Sequence, residues 1–378
     1  SLISLSVADE PPVEARSPAT TTVQPLDELL RQIRDEYKLP ALGAAILTPA
    51  GLQESAVVGL RKTGDATRAT VDDLWHLGSC TKAMTATLLG TLVQEQKLQW
   101  ETTLVALFPD LASQSSEDFR QITLAQLLTH RSGLPANGAW RQLGDQLSTT
   151  DQRRELLRDM VQRDVDHPPG TKYVYSNVGY ALAGLMAEQV TAQSWEQLMR
   201  ERLFQPLHME AVGFGVAGTV GQVDQPWGHH STWLGFGPLN PVQLDNAAAL
   251  GPAGTVHASL ESWSRFLVPH LTSDPAFLPL EIWQTLHAPI GEEEYAMGWI
   301  VPERAWAAGE AGKAGEAHEG RALTHSGSNT VNYCVCWLAP ERQFGIIACT
   351  NSGQTNAPRA LDKLVSLIIL DRYAPASH

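Results

Sequence analysis

The stretch Trp75-His76-Leu77-Gly78-Ser79-Cys80-Thr81-Lys82-Ala83-Met84 passes from a short apolar segment through a glycine into alanine- and leucine-rich text with helical character. Ser79 and Lys82 stand three positions apart, so on a helix they share a face with Cβ atoms about 5–6 Å apart. This is an S-x-x-K arrangement, in which a nearby amine can take the proton from a serine hydroxyl. Gly78 and a helix start suit a serine held in a tight strand-to-helix corner with free backbone N–H groups around it. Of the seven lysines, only Lys82 has a serine three places before it. Taken alone the pattern also fits an N-capping Ser79 and a solvent-facing Lys82. Downstream motifs decide between the two.

Tyr175-Ser176-Asn177 is the only Y-x-N in the chain and follows a Pro168-Pro169-Gly170 break; His325-Ser326-Gly327 heads the last β-rich stretch. In this order and at these separations the three motifs resemble the serine β-lactamase and penicillin-binding-protein superfamily. Within it they are similar to the branch of class C β-lactamases, D-alanyl-D-alanine carboxypeptidases and related esterases. The resemblance takes in Leu127 to Pro135, the Pro-Gly-Thr lead into Tyr175, and Tyr295-Ala296-Met297-Gly298-Trp299, so it spans roughly residues 25 to 373.

The resemblance implies a nucleophilic Ser79 and a coupled Lys82–Tyr175 pair, either member of which could take its proton. It gives Tyr175 the later proton transfers, to the leaving group and from the hydrolytic water. Asn177 would bond Lys82 and a substrate amide. The oxyanion donors would be the N–H groups of Ser79 and Ser328, with His325, Ser326 and Gly327 forming the strand edge beside them. Chemistry sets one condition: lysine titrates near 10.4, so Lys82 serves as a base only if burial or positive charge depresses its pKa. β-Lactamases carry lysine where this chain has His325, a residue mostly neutral at pH 7. That substitution argues against efficient β-lactam hydrolysis; His-x-Gly occurs in carboxypeptidases, D-amino-acid amidohydrolases and some esterases of the branch.

At 378 residues and 43% apolar content the chain can bury a large core. Its net charge of −14, without a Lys/Arg cluster, argues against nucleic acid and anionic membranes as partners. No run approaches the 18 or more apolar residues of a membrane helix. Leu2 to Ala8 reads as the tail of a signal region with a small-x-small site, Ser6-Val7-Ala8, followed by a Pro/Thr/Glu-rich leader. An exported protein is the expectation. Cys334 and Cys336 share a strand face, and Cys349 lies on the partner strand within reach of a bond to either; buried free thiols are the commoner outcome. Cys80 points some 100° around the helix from Ser79, which suits packing rather than nucleophilic chemistry.

The fold predicted is α/β (α+β): a mainly antiparallel sheet flanked by terminal helices, with an inserted all-helical lobe. Residues 1–24 form a mobile leader, 25–78 and 291–373 a discontinuous sheet lobe, and 79–290 a helical lobe with cleft loops. Apolar spacing predicts a helix over 25–38, and a hairpin turns at Pro49-Ala50-Gly51. Helices follow from Ser79 to about 96, from Thr123 to 128, and over 151–163, 177–190, 194–203, 259–269 and 357–373. Strands are predicted at 295–301, 322–325, 331–338 and 344–350. Residues 212–252 read as an ordered loop bordering the cleft, and 303–320 as a mobile excursion.

Rival signals are weaker. Gly213 to Gly218 satisfies G-x-G-x-x-G without a βαβ setting. His229-His230 lack spaced partners for a metal, and no G-x-S-x-G occurs. Trp227, Trp233, Trp299 and Trp306 read mostly as packing. The reading is therefore a serine hydrolase without metal or cofactor, acting on a small-molecule or peptide amide or ester. The alternatives are a weak class C-like β-lactamase and a catalytically silent penicillin- or peptidoglycan-binding protein. Oligomeric state is open.

Overall fold

The computed structural model describes residues 23–144, 146–231, 239–309 and 319–373. The proposed leader lies outside them, apart from its last two residues, as do Trp233 and the middle of the predicted excursion at 303–320, residues 310–318. At the base of that excursion Glu303–Arg304 pairs antiparallel with Gly320–Arg321.

Five antiparallel strands form the main sheet, in the spatial order Leu323–Ser328, Tyr333–Ala339, Phe344–Thr350, Ala41–Thr48, Gly51–Gly59. The strand nearest the start of the chain therefore pairs with the one nearest its end, with Leu42 opposite Thr350 and Leu47 opposite Gly345. Alternation assigns the faces. Leu42, Ala44, Ile46, Phe344, Ile346 and Ala348 pack against the terminal helices Leu26–Tyr37 and Ala357–Arg372. Ala45, Leu47, Ile347 and Cys349 face the other core, toward the helix Leu260–Thr272 and the inserted helices. With both faces covered, these strands read as near-continuous apolar runs.

The insertion is built on two helices, Thr81–Gln94 and Asn177–Thr191, buried on nearly every side. With almost no solvent face, they are rich in Leu, Ala and Gly, and their buried polar side chains, such as Thr85 and Thr87, are hydrogen-bonded inside. Their neighbours are set by capping: Ser148, Ser194 and Ser259 each accept an N–H from the first turn of the helix that follows, and Thr123 with Gln126 makes a complete capping box. Arg153, fully buried, bridges Glu188 and Glu196 at 2.5 Å each and donates to Ala249 O at 3.1 Å. It thereby ties three helices to the segment that runs past the site.

Three expectations are corrected. Ser79 sits in a 3-10 turn, Gly78–Cys80, and the α-helix begins only at Thr81. The strand predicted at 295–301 is a turn carrying two isolated bridges, Tyr295 to Ile300 and Ile300 to Thr324. Gly298 (φ +82°) causes it: a Cβ there would meet the Ala83 backbone at 2.6 Å, so the chain bends to lie on the nucleophile helix. The 212–252 stretch holds short strands, Val212–Phe214, Gly228–His230 and Asn240–Val242. Gly215 and Gly218 turn the chain after the first of them (φ +84° and +81°), and residues 215–227 run on as bends and turns to the next strand.

A buried wire stiffens the nucleophile helix. Thr87 donates to Ala83 O at 2.8 Å and so accepts from His270 Nε2 at 3.0 Å. His270 Nδ1 in turn accepts from His287 Nε2 at 2.8 Å. Burial holds both imidazoles neutral, His287 down at about 4 and His270 well below its ordinary value. Unfolded histidines bind a proton near 6.5, so between pH 6.5 and 4 the unfolded chain takes up protons that the folded chain refuses. Stability is full above 6.5 and falls with decreasing pH by about 1.4 kcal/mol per unit for each such group. Denaturant midpoints measured at pH 7 and pH 4.5 should show this loss, and the loss should be smaller in His287→Gln.

Candidate active site

The nucleophile turn is clamped from both sides. Leu77 N–H donates to Val256 O at 2.8 Å, and Thr81 Oγ1 accepts Val256 N–H at 3.2 Å. Gly78 takes φ +47°, and a Cβ on it would lie 2.3 Å from Ser328 N. A Cβ on Gly327 would lie 1.9 Å from Leu77 O and 2.8 Å from Ser79 N. Two glycines thus let the turn and the strand Leu323–Ser328 meet backbone to backbone. The peptide nitrogens of Ser79 and Ser328 both border this junction. Ser328 turns its own hydroxyl away, donating to Asn332 O at 2.8 Å.

Lys82 is 0% exposed. Its Nζ lies 3.0 Å from Ser79 Oγ, 2.9 Å from Asn177 Oδ1 and 2.8 Å from Ala253 O. Burial lowers its pKa to about 7, against a small opposing effect of Cys80. A neutral amine has two hydrogens and one lone pair. With Asn177 and Ala253 accepting the hydrogens, the lone pair faces the Ser79 hydroxyl.

Tyr175 donates its hydroxyl to Ser79 Oγ at 2.7 Å. Burial pushes this phenol well above its ordinary value, and the Ser79 bond offsets that only partly. It is therefore a protonated donor at neutral pH. His130 sets its place: His130 O accepts Val174 N–H at 2.8 Å, His130 Nδ1 accepts Ser176 N–H at 3.0 Å, and the two rings lie 4.3 Å apart. Ser176 then caps the helix that carries Asn177, whose Nδ2 donates to Asn137 Oδ1 at 2.9 Å.

His325 is 4% exposed. Its Nδ1 donates to Ser326 O at 2.6 Å, and Nε2 accepts from Tyr295 at 3.4 Å. Burial, then the Lys82 charge, hold it down at about 3, so it is neutral and supplies no cation to the cleft. Ser326 is half-buried on the opposite side of the strand. Cys80, Cys334, Cys336 and Cys349 are all free and buried. Cys80 Sγ sits 3.4 Å from His325 O and 3.7 Å from Cys334 Sγ, and burial pushes its thiol up, so it packs. Cys349 stands opposite Cys334. His229 is a clamp, with Nε2 accepting Thr63 N–H at 3.0 Å and Nδ1 donating to Asn351 O at 2.7 Å. Among the described residues no group of His, Cys, Asp or Glu could hold a metal, and no helix is long and apolar enough to cross a membrane.

The structure brings Ser79, Lys82, Tyr175, Asn177, Gly327 and Ser328 together and sets His325 just behind them. Sequence reasoning missed Asn137, which has no distinguishing spacing, and Ala253, whose carbonyl carries no side-chain signal. His130 and Tyr295 lay in stretches that carried the family resemblance, but with no role attached.

Comparison with known proteins places the chain in a family. The Beta-lactamase family model matches residues 26–370. Penicillin-binding protein 4 of Amycolatopsis lactamdurans is 32% identical over 210 residues, covering 51% of this chain and 53% of that protein. Unguisins hydrolase ungD' of Aspergillus campestris is 27% identical over 297 residues, covering 73% and 54%. The chain thus spans about half the length of these curated relatives. Among solved structures, the octameric penicillin-binding protein homologue of Pyrococcus abyssi has a TM-score of 0.72 at 21% identity, covering 91% of this chain and 76% of that one. D-amino acid amidase of Ochrobactrum anthropi SV3 has a TM-score of 0.71 at 19% identity, covering 92% and 99%. Both show the same fold. With a family model matched from the first helix to the last, this chain belongs to the Beta-lactamase family of serine hydrolases.

Proposed function

We propose that the protein hydrolyses an amide or ester through an acyl-enzyme on Ser79, in the manner of the D-alanyl carboxypeptidase and esterase branch. One observation carries this reading: Ser79 Oγ lies at hydrogen-bond distance from both a buried amine and a phenol, at 3.0 and 2.7 Å. In the proposed cycle neutral Lys82 takes the Ser79 proton as Oγ attacks the carbonyl carbon. The N–H groups of Ser79 and Ser328 hold the negative oxygen. Tyr175 passes its proton to the departing group and is recharged by the Lys82 ammonium. Water then attacks the acyl carbon, neutral Lys82 takes one water proton by way of Tyr175, and that proton passes to Ser79 Oγ as its bond to the acyl carbon breaks, which releases the acid and restores neutral Lys82.

Several observations bear on substrate. A neutral, buried His325 leaves that strand edge without the fixed charge that would attract a lactam carboxylate, which favours amides and esters over efficient β-lactam turnover. A relative named for hydrolysing unguisins supports a hydrolytic reaction. Weak β-lactam cleavage is the second enzymatic reading, favoured by the penicillin-binding relative. A silent binder would have no need of Lys82 neutralised against Ser79. Export, and the division into a sheet lobe (25–78 with 291–373) and a helical lobe (79–290), belong to the same proposal.

Intact-mass measurement with a short-chain aryl ester, a D-alanyl-D-alanine peptide, a D-amino acid amide and a cephalosporin separates these readings. At least one should acylate the wild type, and Ser79→Ala should show no adduct with any. Inertness of the wild type toward all four overturns the enzymatic readings. A pH profile tests the base. Acylation should rise with pH through about 7, as Lys82 loses its proton, and then stay level through pH 9. A rate still climbing tenfold per unit at pH 9 would assign the role to a Tyr175 phenolate. Lys82→Ala should lower the plateau by about 10²–10⁴-fold.

A further inference from the structure

Just ahead of the nucleophile, His76 Nδ1 accepts the Gly78 N–H at 3.1 Å, while Nε2 lies 2.6 Å from Asp245 Oδ1. An imidazole nitrogen that accepts carries no proton, so Nε2 holds the hydrogen and donates it to the carboxylate. Both side chains are more than nine-tenths buried, at 6% and 9% exposure. Oδ1 also accepts the Asn246 N–H at 2.6 Å, and Oδ2 is buried with no partner among the described residues. The carboxylate is committed to His76 and to its own loop.

The same three residues reach the other parts of the site. Leu244 O accepts from Asn329 Nδ2 at 3.1 Å, beside Ser328. Asn246 Nδ2 donates to Gly254 O at 2.7 Å, beside the Ala253 carbonyl that holds Lys82. One tripeptide, Leu244–Asn246, thus bonds His76 just ahead of the Ser79 turn, Asn329 just past Ser328, and Gly254 next to Ala253.

We infer that His76 and Asp245 are a positioning pair for the nucleophile. Asp245 locks His76 in the Nε2–H form, Nδ1 holds the Gly78 N–H, and Gly78 is kept at φ +47°, which fixes the direction of the Ser79 N–H and hydroxyl. Neither residue touches the reacting carbonyl. The inference rests on the proposal that Ser79 is acylated, and adds to it a second layer in the cleft loop. Two side chains can imitate the arrangement. Asparagine at 76 offers an oxygen near the Nδ1 position and needs no help from residue 245. Asparagine at 245 keeps an oxygen at the Oδ1 position.

The test is the rate at which a fluorophosphonate probe labels Ser79, with kcat and KM for an aryl butyrate and a thermal midpoint for each variant. His76→Phe and Asp245→Leu should lower labelling and kcat by about 10²-fold, the effect of a small misplacement, with KM little changed. His76→Asn and Asp245→Asn should retain most of the activity, and adding Asp245→Leu to His76→Asn should cost little more. A folded His76→Phe labelled at the wild-type rate overturns the pairing, as does a folded His76→Asn as slow as His76→Phe. The His76 variants decide the matter even if Asp245→Leu fails to fold. Wild-type protein that takes no label at Ser79 overturns the hydrolase reading and this one together. A labelled wild type with a fully active His76→Phe overturns the positioning pair alone.

Discussion

A lysine side chain with no access to water is the constraint on which the site depends. Burying a charged ammonium costs several kcal/mol, and a buried group commonly escapes that cost by giving up its proton. Lys82 is surrounded by uncharged oxygens: those of Asn177 and Ala253 accept its hydrogens, and that of Ser79 lies against its lone pair. A carboxylate in the same place would keep the ammonium charged and remove the base. The rest of the local structure maintains the dryness: a helix, Thr81–Gln94, buried on nearly every side, and the Gly298 turn pressed onto its first residues.

Much of this was legible because it depends on local rules. Capping residues announced the helices at Thr123 and Ser259, and apolar runs either side of a Pro-Ala-Gly turn announced the hairpin. Ser79, Lys82, Tyr175 and Asn177 were legible because their side chains are chemically unusual in combination. What stayed hidden depends on contacts across the fold. Tyr295 to Val301 has the composition of a strand, yet Gly298 must bend it against a helix far away in sequence. The strands of 212–258 are three residues each, too short for a period to register. Ala253 contributes only a carbonyl, and no residue preference marks that.

His325 shows why a motif match and a role differ. Its position in the chain led to a reading as a cleft-lining group, while its ring bonds inward to Tyr295 and its own strand. A lysine there could extend and present a charge; the shorter imidazole settles among tyrosines and stays neutral. Fold and nucleophile are common to the family, and preference among substrates rests on such differences at the rim.

The pairing of Ala41–Thr48 with Phe344–Thr350 has a consequence for biogenesis. The turn that carries Ser79 leaves the ribosome long before the strand Leu323–Ser328 that it meets backbone to backbone. Such long-range closure is slow relative to helix formation. A chain cut short of that strand would therefore carry Ser79 without the surroundings proposed for it.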